Sequence, residues 1–304
     1  MNRISAVRTA VTAVTLLVLG AGTLRAQRLD TTLSVRGQPR LSVSNTSGDI
    51  VVRVWSRAQV EVQAEYDRSD FDDRPGIEIT ESAGRVSVRT LTRRHGGGVN
   101  YTINVPHGTG VEVNGVSSDV TVNGVCGDLN LNTISGDVGV DCIEGDAQVQ
   151  TVSGDVTVAN VRTRHLEVGS TSGDVIVRGV HGGVGAHSVS GDITLTQIDG
   201  DEVTAETVSG GIEYDGRIAD NGRYSFEAHS GDVSLRVSGT FNATVSVSTF
   251  NGDFESDFPV TIGPGRQSQR DWEFRQGTGS ARVRLQSFNG TINLRRGSGS
   301  PREE

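Results

Sequence analysis

The chain has 304 residues, a formal charge of −9 and only 5% aromatic residues. An acidic surface repels phosphate backbones and anionic lipid, which sets nucleic acid aside as a partner. With aromatics so sparse and valine so abundant, the chain suits a thin interior between close-packed strands better than one thick globular core. All positive side chains are arginine; there is no lysine.

Residues 1–26 read as an export leader. Arg3 and Arg8 open it, an apolar run from Ala10 to Ala21 comes next, and Ala26 offers a small residue for cleavage near Gln27. The run is shorter than the roughly 20 residues a membrane-crossing helix needs, and nothing later in the chain supplies a transmembrane span. Loss of Arg3, Arg8 and Arg25 with the leader takes the charge to −12.

Residues 27–115 form a less regular segment, expected as a cap continuous with the repeats at 116–296. It holds Ser47-Gly48-Asp49, the strand-like run from Ile50 to Trp55, and shorter alternating runs at 60–64, 77–79 and 86–88. A charged loop from Asp67 to Pro75 separates two of them. The 70 residues from Gly48 to Ser118 span about four repeat periods, so the segment reads as the same coil with longer loops.

Residues 116–296 are a repeat array. Ser-Gly-Asp recurs with its glycine at Gly136, Gly154, Gly173 and Gly191, after Ser117-Ser118-Asp119. Weaker copies centre on Gly210, Gly231, Gly252 and Gly290. The steps between middle residues are 18, 18, 19, 18, 19, 21, 21 and 38, the last being two periods. In the unit Ala147 to His165, Ala147, Val149 and Val152 precede the turn and Val156, Val158 and Val161 come after it. Val156-Thr157-Val158 alternates with period two, the mark of a strand with one buried face. Gly127-Asp128, Gly145-Asp146, Gly182-Gly183 and Gly200-Asp201 mark a second corner nine residues on.

The expected fold is therefore all-β: a parallel β-solenoid of about 18–19 residues and two strands per rung, with atypical caps at both ends. A triangular hexapeptide helix fails, because six residues beyond Val158 stands Arg164. An antiparallel up-and-down sheet is the remaining rival, disfavoured by the constancy of the 18–19 step. Phe258, Trp272 and Phe274 are expected to close the last rungs, and 297–304 reads as a disordered tail.

The repeated Ser-Gly-Asp-Val, the entry Ser47-Gly48-Asp49-Ile50 with Trp55 and Val60-Glu61-Val62, and the lead-in Val105-Pro106-His107-Gly108 resemble the bacterial putative-adhesin family of β-strand repeats, a family of unknown function. The resemblance implies a β-solenoid, an exported or envelope location (periplasmic, cell-surface or secreted), and an adhesive role. It carries no catalytic residue.

The repeat-turn residues are the candidate site: Gly48-Asp49, Gly136-Asp137, Gly154-Asp155, Gly173-Asp174, Gly191-Asp192, Gly231-Asp232 and Gly252-Asp253. Stacked aspartates repel by roughly 1 kcal/mol per neighbouring pair at the dielectric of water, so something must offset them. One reading is an Asx-type bond from each carboxylate within its own turn. The other is a calcium ladder on Asp137, Asp155, Asp174 and Asp192. No other cofactor is expected. Cys126 and Cys142, 16 residues apart, are a disulfide candidate on neighbouring rungs. The six histidines sit at different offsets from the turns and form no ladder.

Asp201, Glu202 and Glu206, with Arg217 and Arg223, are the carboxylates and cations an enzyme would draw on, but they sit on no long polar insertion. The sequence thus points to a non-catalytic surface that binds an envelope protein or polysaccharide. The alternatives are a carbohydrate-active β-helix lyase or hydrolase, and a calcium-stabilised structural protein.

Overall fold

A computed structural model describes residues 27–66, 76–91, 98–260 and 271–297. The leader at 1–26, the charged loop at 67–75, His95 and the tail beyond Gly297 lie outside the described residues. All described regular structure is β: 24 strands join one sheet of mixed orientation.

The period-two runs form strands for the reason the sequence suggests. Along Ala147–Ser153 the side chains of Ala147, Val149 and Thr151 point inward while Gln148 and Gln150 face water. Leu129–Ser135 pairs in parallel with Ala147–Ser153, Leu131 against Val149, and Val138–Glu144 pairs in parallel with the first half of Val156–Ser172. Each Ser-Gly-Asp joins a strand of one wall to a strand of the other. The interior is a column of branched aliphatic side chains, among them Leu131, Val140, Val149 and Val158, each at most 3% exposed. Burying one such side chain contributes about 1.5–3 kcal/mol, and the arrangement repeats at every coil. Val156–Ser172 and Val175–Ser190 run unbroken around the second corner, which is why both walls count as a single sheet.

After Val158 the alternation slips. Asn160 adopts a left-handed conformation, φ 54°, so Val161 rather than Asn160 returns to the interior. The same one-residue bulge stacks through Gly124, Cys142, Asn160, Gly179 and Gln197, all at φ between 54° and 76°. It bends each coil toward its second corner.

The ends depart from the expectation of parallel coils stacked in chain order. Ile50–Trp55 pairs on one side with Val120–Asn123 and on the other with Val99–Pro106. The coil containing Arg85–Leu91 and Val99–Pro106 is thus the outer one, although it comes after the Ser47-Gly48-Asp49 coil in sequence. Gly48 donates its N–H to Ser117 O at 3.2 Å, so the step of 70 from Gly48 to Ser118 separates direct neighbours instead of filling four periods. The C-terminal end repeats the device. Ala281–Asn289 lies between Arg223–Ser230 and Ala243–Asn251, so the 38-residue step joins adjacent coils in reversed order.

Antiparallel strands flank the stack at both ends. Gln27–Ser34 runs against Gln59–Tyr66, which runs against Val99–Pro106; Gly76–Ser82 covers Arg85–Leu91, and Asp271–Gln276 covers Ala243–Asn251. Such strands occupy edges that would otherwise be open to another chain. The expected aromatic closure is present, with Phe258 and Phe274 buried, Phe254 packed 5.5 Å from Trp272, and Phe241 edge-on to Phe258.

Candidate interaction surface

The Ser-Gly-Asp corners stack into one straight edge, and three kinds of side chain line it in register. The aspartates bond from coil to coil. Asp119 Oδ1 accepts the backbone N–H of Asp137 at 2.9 Å, Asp137 that of Asp155 at 3.0 Å, and Asp155 that of Asp174 at 2.8 Å. Asp174 then accepts from Asp192 at 2.9 Å and Asp192 from Gly211 at 2.7 Å, where the absent side chain interrupts the series. Asp232 accepts from Thr291, and at the other end Asn100 accepts from Asp49. The expected Asx bond inside each turn is therefore replaced by a bond to the next coil. Charge-assisted bonds of this kind supply the offset that stacked carboxylates require. Among the described residues no three His, Cys, Asp or Glu side chains gather to hold a metal ion, and Asp137, Asp155, Asp174 and Asp192 form a row, not a cluster.

The glycine between serine and aspartate is dictated by stacking. Gly154 sits at φ 143°, and a Cβ there would run into the carbonyl oxygen of Gly136. Two residues before each serine lies a second column, buried and hydroxylated. Ser170, Ser188 and Thr207 donate to the carbonyls of Gly154, Gly173 and Gly191 at 3.0, 3.3 and 3.1 Å, and Ser287 to Gly231 at 2.9 Å. Thr151 Oγ1, in the same column, is buried without a partner among the described residues.

The third column is apolar and exposed. Val152, which precedes the turn together with Val149, faces solvent at 47% exposure, while Thr151 is buried. The signal was available: parity from Ala147 and Val149 places Thr151, not Val152, inside. Ile134, Val189, Val208 and Phe288 stand at the equivalent position and are exposed as well. At the C-terminal end the column becomes aromatic. Phe250 stacks on Phe288 with centroids 4.6 Å apart, and Phe288 on His229 at 4.9 Å.

The remaining expected residues are dispersed. Cys126 and Cys142 stand as free thiols in this structure. Cys142 occupies the left-handed bulge beside Gly124, two positions from the level of Cys126. Cys126 Sγ instead lies 3.5 Å from His107 Nδ1 and donates to Gly124 O at 3.7 Å. Burial first, then the charges of Glu144 and Cys142, push the Cys126 thiol pKa up. His165 and His187, unrelated in sequence offset, converge on Glu167, with Nε2–O distances of 3.1 and 2.8 Å, and the Glu167 carboxylate fills the space above Gly185. Arg223 pairs with Glu202 at 3.2 Å and His187 Nδ1 lies 3.7 Å from Glu206, both on the outer face of one wall. At the second corner the Arg164 guanidinium binds Asp146 and holds its carboxyl below the usual carboxylate range.

An all-β stack of coils with one edge of recurring residues defines the class: a repeat protein that presents an extended, regular surface. The Toastrack DUF4097 family matches residues 38–295, and the chain belongs to it. No curated protein matches. The crystal structure of a putative adhesin from Parabacteroides distasonis ATCC 8503 aligns over 88% of this chain and 97% of its own, at 10% identity and a TM-score of 0.45. A putative adhesin from Bacteroides fragilis NCTC 9343 covers the same shares at 14% identity and a TM-score of 0.38. A putative lipid binding protein from Parabacteroides distasonis ATCC 8503 covers 88% and 96% at 10% identity and a TM-score of 0.34. Among the described residues no helix is long and apolar enough to cross a membrane.

Proposed function

We propose that the chain is an exported, non-catalytic β-solenoid of 18–19-residue coils that binds an envelope protein or polysaccharide along its side, as an adhesin or envelope scaffold. One observation carries this reading: from Asp119 to Asp192 successive coils present the same side chains in the same register, so the chemistry is extended along an edge and not gathered at a point. A repeated edge gains affinity by summing many weak contacts, which suits a polymer or a long partner surface.

Pull-down from the native envelope, a glycan array and a reducing-sugar release assay test it together. Retention of envelope protein or glycan without sugar release is the expected result; turnover would replace the reading with a carbohydrate-active one. The row Asp137, Asp155, Asp174 and Asp192 keeps its second carboxylate oxygens outside the ladder bonds. A thermal melt in millimolar calcium and in chelator therefore belongs with these assays.

A further inference from the structure

The exposed column beside the aspartate ladder forms a ridge one side chain wide. Val116, Ile134, Val152, Val189, Val208 and Phe288 mark it, and only Thr171 and His229 interrupt the series before Phe250. Each side chain lies between strictly paired neighbours. Val152, for instance, stands between Thr151 and Ser153, which face Thr133 and Ser135. With coils roughly 4.8 Å apart, the ridge from Val116 to Phe250 runs roughly 38 Å. The ring faces at its end are turned toward one another, stacked within 3° and 9°, so the aromatic edges face outward. That geometry offers apolar side contact, not a flat platform for a sugar ring. An apolar line of this length on an exposed surface marks a docking site.

The charge beside it selects the occupant. Asp119, Asp137, Asp155, Asp174 and Asp192 run parallel to the ridge, and none of the five has an ion pair among the described residues. Elsewhere the chain answers its acids with arginine: Arg164 with Asp146, Arg223 with Glu202, Arg236 with Glu213, Arg295 with Asp257. No arginine lies within two residues of the Ser-Gly-Asp corners from 117 to 192. The edge is thus apolar and uncompensated in charge, which calls for a partner both apolar and cationic. A second copy of the chain would bring its own aspartate row, and an anionic bilayer would be repelled.

Spacing narrows it further. An α-helix presents a seam residue every 3.5 positions, roughly 5 Å apart, close to the coil repeat, whereas one face of a strand repeats at roughly 6.6 Å. We propose that the ridge from Val116 to Phe250 seats a basic amphipathic helix of a partner protein, about 25 residues long, with its apolar seam on the ridge and its Lys or Arg flank over the aspartate row. This rests on the surface-binding function proposed for the chain and names its partner class.

The test uses the full chain and three fluorescent peptides of about 25 residues, read by anisotropy at low and physiological salt. The first carries Leu at its seam and Lys at the flanking positions, the second Glu at those flanks, and the third Ser at the seam. The Leu–Lys peptide is expected to bind about tenfold or more tighter than either other peptide, and to weaken with salt. Ile134→Ser with Val152→Ser and Val189→Ser, and separately Asp137→Asn with Asp155→Asn and Asp174→Asn, are each expected to weaken it about tenfold. Asparagine keeps the Oδ1 acceptor of the ladder, so the second variant changes charge without removing bonds. Equal binding of the Lys and Glu peptides, or unchanged binding by either variant, overturns the proposal. So does ridge-dependent dimerisation in sedimentation, or ridge-dependent binding to phosphatidylcholine–phosphatidylglycerol vesicles. An envelope pull-down that the ridge variant leaves intact sinks this inference alone; one that is empty for the unmodified chain sinks the broader reading.

Discussion

Asp137 Oδ1 accepts the backbone N–H of Asp155 at 3.0 Å, tying two residues 18 apart in sequence into adjacent coils. The side chain of one repeat thereby completes the turn of the next. Asp137→Ala removes the acceptor and leaves a turn N–H to water, and is expected to lower unfolding free energy by about 1–2 kcal/mol in urea melts. Asp137→Asn keeps the acceptor and relieves repulsion from Asp119 and Asp155, so its melt should match or slightly exceed that of the parent. Equal losses in both variants would remove the ladder bond as a source of stability.

Gly154→Ala brings a Cβ onto the carbonyl of Gly136 at a φ that side chains rarely adopt. The expected loss is about 3 kcal/mol, visible as a drop in Tm or as insoluble expression. Gly139→Ala, with open space around the same atom, should change the melt by less than about 0.5 kcal/mol.

Thr151 and Thr207 occupy the same buried column with opposite hydrogen-bond status, since Thr207 donates to Gly191 O at 3.1 Å and Thr151 finds no acceptor among the described residues. Thr207→Val is expected to cost about 1 kcal/mol, while Thr151→Val should be neutral or stabilising. Chemical denaturation of the two variants side by side checks the contrast.

The Asp257 carboxyl is held below its ordinary value of 3.8, first by the backbone N–H of Arg296 and then by the Arg295 guanidinium. A depressed folded-state pKa contributes stability that is present above the unfolded value and lost as pH falls through the folded one. The difference in Tm between the parent and Asp257→Asn should therefore be full near pH 7 and shrink below about pH 4. A difference that grows on acidification contradicts the assignment.

Both thiols should titrate with a disulfide reagent under native conditions, and Cys142 should react first. Cys142 is exposed, whereas Cys126 is partly covered and its pKa is raised, which lowers its thiolate fraction at about pH 8. Mass spectrometry of a timed alkylation gives the order. No reactive thiol before reduction would restore the disulfide expected from the Cys126–Cys142 spacing.

Much of the coil was legible in the chain, because a period of 18–19 with glycine at a fixed point leaves few ways to stack. The inward parity of Ala147 and Val149 and the turn at Ser153-Gly154-Asp155 stem directly from it. What parity alone also offered, and hydrophobicity concealed, is that Val152 faces out: a valine beside a turn reads as core until the alternation is counted. The spacing of three between Val158 and Val161 carried the bulge at Asn160 in the same way. The order of the end coils was not legible. Gly48 and Gly252 bear the same local signature as the central repeats, and nothing in a turn motif states which neighbour it will stack on. The convergence of His165 and His187 on Glu167 was equally hidden, since it depends on Gly185 leaving room across the strand.

At both ends of the described stack a coil is threaded inside one that precedes or succeeds it in sequence, and antiparallel strands pair on the outside, on both walls at the first end and on the Ala243–Asn251 wall at the last. A further coil on those walls would have to displace these seals, which mark off the stack at its extremities. The middle has no such stop. From Gly136 to Gly191 each turn meets its neighbours through the same bonds, and excision or duplication of one 18-residue unit there would leave the seals untouched. The reach of the molecule can thus change in steps of one coil while its tips stay the same.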